Sequence, residues 1–330
     1  MTDREALEVA EEGRIEVVPV VATPQGRPLL GVLMVMGAVL LFAANDTVTK
    51  TLVSQYPVPL VSAVRYGVHL LLMLVLVAPR LGSRLFKTTR TGLVLFRSLC
   101  LALSTLCMGL ALQRMPVPES VAIIFLAPIV VVLMAGPVLG EKVAAASWLA
   151  AVAGFGGVLL IVRPGGALDL MGVIFVLMAV ATSVVYYLLS RVLARTESTL
   201  SLLFYSALVG TLCFGAMVPW TLSGPIPDLP TLAMFLSQGV AAGLGHYLFT
   251  AAHREATSSL LAPVSYTQLV WVGLLSWLIF GHVPDGLTLV GMVVVGLAGA
   301  TIAIVSTRRP RAVGSTTQGM GPAASSRRPG

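Results

Sequence analysis

Ten apolar runs follow one another along this 330-residue chain, and each run is about as long as a membrane span. A helix needs roughly 20 apolar residues to cross about 30 Å of hydrocarbon, and Pro, Gly or charged residues break the chain between the runs. Only 11% of the residues are charged, against about 25% in soluble domains, so a water-soluble core could not bury this much apolar surface. The pattern predicts an all-α polytopic membrane protein with ten transmembrane helices, at residues 29–49, 58–78, 92–112, 117–137, 143–162, 170–190, 199–220, 230–250, 259–280 and 286–306.

Basic residues are distributed unevenly between alternate loops. With the N-terminus in the cytoplasm, sixteen of the 21 basic residues fall in cytoplasmic segments and only Lys50, Arg114 and Arg163 fall outside. Because cytoplasmic loops carry the excess of Lys and Arg, this predicts a bacterial inner-membrane protein with both termini cytoplasmic. The net charge of +7 then reflects orientation in the lipid bilayer, and we expect no nucleic-acid partner. The acidic head, 1–28, and the basic tail, 307–330, are expected to be disordered.

The two halves of the chain resemble each other when the sequence is shifted by 141 residues. GVLMV at residue 31 then falls on GVIFV at residue 172, and Lys50 falls on Arg191. Because each half has five predicted spans, an odd number, the second half enters the membrane upside down. We therefore expect two inverted-topology five-helix repeats, 29–163 and 170–306, an arrangement typical of secondary transporters that bind substrate near mid-membrane.

The ends of the repeats carry the most distinctive sequence: LQRMPVPESVAIIFLAPIVVVLMAGPVLGEK in the first and AHREATSSLLAPVSYTQLVWVGLLSWLIFGHVPD in the second. In these motifs the chain resembles the EamA-type carriers of the drug/metabolite transporter superfamily. AND…K in the first span and APVSYTQL in the ninth are similar to the branch that contains S-adenosylmethionine and riboflavin carriers. The resemblance implies a secondary carrier whose glycine-rich fifth and tenth helices scaffold the fold or pair subunits in a homodimer. Two positions depart from the pattern. When the repeats are aligned, Gln268 in the second repeat occupies the position of Pro128 in the first, and His282 replaces the Glu expected after Gly281.

Asp46 and Lys50 lie at positions i and i+4 near the outer end of the first predicted helix, so they share a face. A lone charge at mid-bilayer costs at least about 2.5–3.5 kcal/mol and usually faces a cavity or a partner. Asn45 and Thr49 flank Asp46, and we expect these residues to line the outer part of a water-accessible cavity. For Lys50, a cavity role and a side chain that snorkels to the surface both stay open.

Aromatic residues stand at the equivalent place in the second repeat, where the sixth predicted helix carries Tyr186 and Tyr187. An acid on one repeat that faces aromatic rings on the other suits an organic cation or a heteroaromatic ring. Tyr266, Gln268 and Trp271 in the ninth predicted helix are further substrate-binding candidates, with the two rings meeting a substrate ring from different angles.

Two arginines lie within predicted spans, and the sequence suggests different roles for them. Arg65 is about seven residues into its helix, roughly 10 Å deep, so binding an anionic group and snorkelling both stay open. Arg97 is about five residues into its helix and is expected to snorkel to a lipid headgroup. His246 and Tyr247, deep in the eighth span, are expected to line the pathway, where His246 could titrate near neutral pH.

Asp46, Glu119 and His246 are the candidates for proton coupling, although Glu119 is expected first of all to stabilise the start of the fourth helix. No GxxxxGK[ST], HExxH or CxxC motif occurs, so we expect no metal or cofactor. The rival class is a polytopic membrane enzyme, such as an intramembrane protease or a lipid transferase. The sequence offers neither a GxSx nucleophile nor clustered acids, so we expect a carrier of a small-molecule substrate and not an enzyme.

Overall fold

Helices form all of the regular structure in the part of the chain that the computed structural model describes, residues 27–139, 145–163, 168–194, 196–256, 261 and 264–307. They are α1 Pro28–Val53, α2 Val58–Leu72, α3 Thr91–Arg114, α4 in two segments (Val117–Ile124 and Leu126–Leu139), α5 Ala145–Val162, α6 Leu170–Leu193, α7 Thr199–Thr221, α8 Leu229–Glu255, α9 Gln268–Phe280 and α10 Gly286–Thr307. Three short helical turns, Met73–Val77, Ala78–Leu81 and Gly82–Leu85, continue α2. The predicted acidic head before residue 27, the basic tail after residue 307 and the Gly140–Glu141 pair lie outside the described residues.

Proline and capping side chains set where several helices begin. Pro57 and Pro116 stand in extended conformation before α2 and α4, and each helix has a second proline in its first turn. Proline suits this place because it lacks the N–H that a first turn leaves unpaired and its φ is already helical. Asp169, Ser198 and Asp228 cap α6, α7 and α8, and each side chain accepts a hydrogen bond from the backbone N–H three residues on.

Six helices are long and apolar enough to cross a membrane: α1, α2 with its continuation, α3, α6, α7 and α8. Four shorter apolar helices occupy the positions predicted for spans 4, 5, 9 and 10. Large apolar side chains on α5 and α10 are at least half exposed, among them Leu149, Val152, Leu159, Val293 and Leu297. Such a surface belongs against lipid, so the chain is a multi-pass membrane protein. The count of ten spans stays a prediction.

Helix packing repeats itself between the two halves. α1 packs along α8, while α6, the counterpart of α1, packs along α3, the counterpart of α8. α2 packs against its counterpart α7, and α5 packs against its counterpart α10. If a two-fold axis relates the two five-helix halves, each contact between helices of different halves must occur twice with the halves interchanged, as these contacts do. Polar residues on α1, α3, α6 and α8 are thereby brought between the halves.

Close helix contacts around α5 and α10 depend on glycine. A Cβ at Gly157 would lie 2.8 Å from the carbonyl oxygen of Gly291, and a Cβ at Gly299 would overlap the Tyr266 hydroxyl. Real Cβ atoms do not approach other atoms so closely, so only glycine fits here. The helices therefore pack closely at these glycines, whereas Gly156 has open space beside it.

Candidate functional site

A cavity of about 190 Å³ lies among α1, α2, α3, α4 and α8, in the half of the molecule where α1 and α3 end and α2 and α8 begin. The predicted topology assigns this half to the outer side of the membrane. Three of the predicted site residues, Asp46, Thr49 and Arg65, share its wall, and Gln238 from the second half closes it. Its remaining lining residues are Val61, Ser62, Ser104, Thr105, Met108, Gly109, Leu112 and Ile124.

Asp46 joins the two halves of the chain at this cavity. Its Oδ2 accepts a hydrogen bond from Gln268 Nε2 on α9 at 3.2 Å, and the Arg65 guanidinium is close enough to interact with its charge. A carboxylate held by one neutral amide has further lone pairs for the donors of a ligand. The structure thus brings the predicted residues Asp46 and Gln268 together.

Arg65 also lines the cavity and is half-buried on α2. Its Nη2 donates to Thr105 Oγ1 at 3.1 Å, and its Cζ lies 5.0 Å from the centre of the Tyr66 ring. The Tyr66 hydroxyl is in turn 2.8 Å from Thr105 Oγ1. Of the two roles left open for Arg65, this placement favours the cavity over snorkelling.

Amide and hydroxyl groups complete the wall beside Asp46. Gln238 Nε2 donates to Thr49 Oγ1 at 2.8 Å, and Thr49 Oγ1 donates to the backbone oxygen of Asn45 at 2.8 Å. Gln238 Oε1 and Asn45 Oδ1 are buried acceptors without a partner among the described residues. Because an unpaired buried acceptor is costly, a ligand that donates to Gln238 would gain from it. Gln238 was not predicted, although it is a polar residue within an apolar run, as Asp46 is.

His246 lies on α8 in an aromatic group that reaches across three helices. Its ring is 5.1 Å from the Phe42 ring of α1 and stacks at 6.5 Å on the His69 ring of α2. Neither histidine is among the residues that line the cavity. His69 is buried and was not among the predicted residues.

Arg97 does not reach the surface, and the expectation that it snorkels is wrong. It is 4% exposed, and four hydrogen bonds from its guanidinium cross to the second half. Nε donates to Ser190 Oγ at 2.7 Å, Nη1 to Ser206 Oγ at 2.9 Å and to the Leu202 carbonyl at 3.2 Å, and Nη2 to the Tyr186 hydroxyl at 2.9 Å. Burial is tolerated because protein acceptors replace water around the cation.

Tyr186 accepts a hydrogen bond from Arg97 and is not among the residues that line the cavity with Asp46. Tyr187 meets the Tyr186 ring edge-on at 5.2 Å, and it is 44% exposed. Of the two tyrosines, Tyr187 is the one that keeps free surface for a substrate ring.

Three other predicted aromatic residues lie outside the cavity lining. Tyr266 packs between the Phe125 ring, at 4.9 Å, and Gly299. Trp271 packs against two apolar clusters of the core. Tyr247 is 63% exposed, on the same face of α8 as other exposed apolar residues. We correct the prediction for Tyr247, because this face points away from the neighbouring helices that form the cavity.

Lys50 binds the end of a helix instead of a ligand. Its Nζ donates to the carbonyl oxygens of Leu112, at 2.5 Å, and Met115, at 3.0 Å, where α3 ends. A cation at a helix C-terminus satisfies unpaired carbonyls and the helix dipole. This contact is a third arrangement, distinct from both of the roles left open for Lys50.

A second pocket, of about 350 Å³, lies at the same end of the molecule, and its lining includes six ionisable side chains: Arg114, Glu119, Arg163, Asp169, His282 and Asp285. Glu119 is 4% exposed, and its Oε1 is 2.8 Å from Nε2 of His282. Glu119 does lie in the first turn of α4, as expected, but its partner is a side chain of the second half. His282, noted in the sequence only as a departure from a family pattern, is thus part of a polar cluster.

The described residues contain no group of three or more His, Cys, Asp or Glu side chains that could hold a metal ion. The chemistry of the cavity is that of binding: its lining contains one carboxylate, one guanidinium, several hydroxyls and the side chain of Gln238. Such a set suits a small polar molecule with groups that both donate and accept hydrogen bonds.

A model of the EamA-like transporter family matches residues 29–163 and, a second time, residues 170–305. A riboflavin transporter of Rhizobium johnstonii is 28% identical over 297 residues, which cover 88% of this chain and 96% of that protein. An S-adenosylmethionine uptake transporter of Rickettsia bellii is 25% identical, covering 77% of this chain and 86% of its own. A pseudopaline exporter of Pseudomonas aeruginosa is 25% identical, covering 81% and 94%. All three relatives are named as transporters and none as an enzyme.

A solved crystal structure has the same fold. It is 20% identical to this chain, superposes with a TM-score of 0.61, and the match covers 84% of this chain and 97% of the other. At this identity the likeness concerns the architecture of the helices.

Proposed function

Because this chain belongs to the EamA-like transporter family, we propose that it is a secondary carrier that moves a small polar metabolite across the membrane by alternating access. The observation that carries the proposal is the cavity in which Asp46 and Arg65 of the first half meet Gln238 and Gln268 of the second. Ionisable side chains inside a membrane protein mark substrate pathways, because placing them against lipid is costly.

Alternating access is supported by the way in which the halves pack. The exchanged pairs α1 with α8 and α6 with α3 are expected of two inverted five-helix repeats, and rocking such repeats exposes a central site to each side in turn. The Arg97 contacts with α6 and α7 close the predicted cytoplasmic end, while the cavity lies toward the predicted outer end. In the state proposed here the cytoplasmic end is closed, and the cavity lies nearer the outer end.

The substrate classes that we propose are those named for the relatives, riboflavin and S-adenosylmethionine, together with amino acids and related compounds. Ligand pockets for drug-sized molecules measure about 300–1,000 Å³, whereas the cavity here is about 190 Å³. A substrate of that size therefore requires the helices around the cavity to move apart. Tyr187, with its exposed ring, is the aromatic residue that we propose for contact with such a substrate.

The setting proposed for this carrier follows from the distribution of charge. The excess of basic residues in alternate loops supports a bacterial inner membrane with both termini in the cytoplasm. The lipid bilayer and a small molecule are the proposed partners, and the exposed apolar surfaces of α5 and α10 offer a contact for a homodimer.

Flux through proteoliposomes tests the proposal. Purified protein is reconstituted, and labelled riboflavin, S-adenosylmethionine and amino acids are measured in both directions, since relatives of both directions exist. Asp46→Asn is expected to reduce flux while the protein stays folded. The matched control is Asp228→Asn, because Asp228 is an exposed helix cap that does not line the cavity. Equal flux in the two variants would remove Asp46 from the pathway.

A further inference from the structure

Three charged pairs join the first half of the chain to the second around the 350 Å³ outer pocket. In each pair one residue belongs to the first half and its partner to the second: Arg114 with Asp169, Arg163 with Asp285, and Glu119 with His282. We call this contact zone the outer seam. Any motion that separates the halves at this end must break these pairs.

Two of the three pairs can separate without stranding a charge. Asp169 also accepts a hydrogen bond from the backbone N–H of Gly172, and Asp285 accepts one from Thr288. Hydrogen bonds from Thr288 and then Arg163 lower the pKa of Asp285 to about 2, so this carboxylate stays ionised. The side chains of both aspartates are more than 40% exposed, and water can replace the arginines.

Glu119 cannot separate from its partner in the same way. Its Oε1 contacts His282, while its Oε2 is buried and has no partner among the described residues. If His282 withdrew while Glu119 was still buried, the ionised carboxylate would be left unpaired, which costs several kcal/mol. Protonation of the carboxyl group removes that cost, so separation of the seam favours the protonated form.

The burial of Glu119 Oε2 limits which cations can bind the carboxyl group. Oε2 has almost no accessible surface, so neither a metal ion nor an ammonium group can reach it without rearrangement. A proton can reach the carboxyl group along the hydrogen bond from His282, whose side chain is 34% exposed to the pocket. We propose that Glu119 and His282 form a proton-binding site that couples proton uptake from outside to opening of the outer seam. This inference rests on the proposed function and adds the coupling ion to it.

The proton transfer is balanced as follows. In the closed seam, neutral His282 donates its Nε2–H to the Glu119 carboxylate. A proton from the outer pocket binds Nδ1 and makes the imidazolium. The Nε2 proton then passes to Glu119, which leaves a neutral carboxylic acid beside a neutral imidazole. One proton has been taken up, the charge that held the pair is gone, and His282 can leave.

Other charged groups near the pair do not carry this proton. Arg114 and Arg163 are held by Asp169 and Asp285 in the same pocket. From α1, Lys50 reaches the carbonyl oxygen of Met115, four residues before Glu119.

Accessibility of a cysteine in the seam tests the inference without any substrate. Thr288 lines the outer pocket and is buried, so Thr288→Cys reports opening of the seam to a membrane-impermeant maleimide. The background carries alanine in place of the native cysteines Cys100, Cys107 and Cys213. Rates are divided by those of Ser223→Cys, an exposed loop position, to correct for thiol ionisation.

The corrected labelling rate is expected to rise as the external pH falls from about 8 to about 5.5, by up to about tenfold per pH unit for one proton. Glu119→Gln is expected to label fast at every pH, because the amide imitates the protonated state, and Glu119→Asp is expected to keep the pH dependence. Asp169→Asn breaks a neighbouring pair of the seam and should leave the pH dependence in place. A rate in the parent that does not change with pH, or an unchanged pH dependence in Glu119→Gln, overturns the proton site.

The test separates this inference from the proposed function. Labelling that depends on pH through Glu119 supports the proton site even if no compound in the flux panel is carried. Flux of a panel compound together with labelling that ignores pH retains the carrier and removes the proton site.

Discussion

Arg97 and Arg65 are both arginines within predicted spans, but the protein surrounds them differently. Arg97 is buried, and four hydrogen bonds tie it to α6 and α7 of the other half. Arg65 is half-buried on a cavity wall, where one described hydrogen bond joins it to Thr105 of its own half and Asp46 lies nearby. An arginine whose donors are taken by protein groups holds helices together, whereas one with donors to spare can bind a ligand.

The two ends of the molecule near these arginines also differ in how the halves contact each other. Beyond Arg97, the carboxylate of Glu197 accepts hydrogen bonds from the Thr89 hydroxyl and from the backbone N–H groups of Thr89 and Arg90. The start of α3 is thus fastened to the connection between α6 and α7 by two polar clusters. Toward the other end lies a cavity whose lining comes mostly from the first half, with Gln238 from the second. The same type of residue therefore joins the helices at one end and lines a cavity nearer the other.

Arg97→Gln is expected to have the largest effect and to act on stability. The free energy of unfolding should fall by about 3 kcal/mol, because several hydrogen bonds to a buried cation are lost at once. Thermal unfolding in detergent measures the loss. Arg114→Gln is the control, since Arg114 is about half exposed in a surface ion pair and should cost less than about 1 kcal/mol. Similar losses in the two variants would contradict the buried role of Arg97.

Arg65→Gln is expected to act on transport instead. A charge-assisted hydrogen bond to substrate is worth about 1.5–3 kcal/mol, so flux of the transported compound should fall about 10- to 100-fold. The free energy of unfolding should change by less than about 1 kcal/mol, because the Arg65 guanidinium makes one described hydrogen bond within the folded protein. Flux per folded protein and thermal unfolding are measured on the same preparation. If Arg65→Gln lowered the free energy of unfolding but left flux per folded protein unchanged, Arg65 would have a structural role and not a transport role.

Glu197 allows the closed end to be tested through pH. Burial opposes its ionisation, but hydrogen bonds from Thr89 and Arg90 outweigh burial and lower the pKa of Glu197 below its ordinary value. A carboxylate whose pKa is lowered by folding stabilises the folded state at pH values above the ordinary Glu pKa of about 4.3. That stabilisation is lost as the pH falls through the pKa of the carboxylate in the folded state. Glu197→Gln should therefore cost about 1–2 kcal/mol at pH 7 and less in acid. A cost that stays constant down to about pH 3 would exclude the ionised carboxylate as its cause.

The positions of the helices could be predicted from the sequence because their signals are local. Apolar runs and the prolines between them mark each segment, and α1, α3, α6 and α7 lie close to the predicted ranges. Asp46, Thr49 and Arg65 could be found for the same reason, since a polar side chain within an apolar run stands out. Gln238 carries the same signal and was missed.

The direction in which a side chain points could not be predicted, because it depends on which helix lies beside it. Depth along a span suggested that Arg97 snorkels, but α6 and α7 cover the face of α3 that carries it. His246 packs against the Phe42 and His69 rings, whereas Tyr247, which points about 100° away on the same helix, is exposed. The pair of Glu119 and His282 joins residues that are 163 positions apart, and a single sequence contains no measure of that proximity.

Tyr186 and Tyr187 test the contrast between a structural and a ligand-binding role at two neighbouring residues. Tyr186 is hydrogen-bonded to Arg97, whereas Tyr187 is exposed. Tyr186→Phe removes one acceptor from Arg97 and should cost about 1 kcal/mol of stability. Tyr187→Phe keeps the ring that meets Tyr186 and removes only the hydroxyl of an exposed residue, so it should stay within about 0.5 kcal/mol. In the Arg97→Gln background the cost of Tyr186→Phe should largely disappear, since the donor to its hydroxyl has gone. A double-mutant cycle by thermal unfolding measures this coupling, and additive costs would mean that Tyr186 stabilises α6 independently of Arg97.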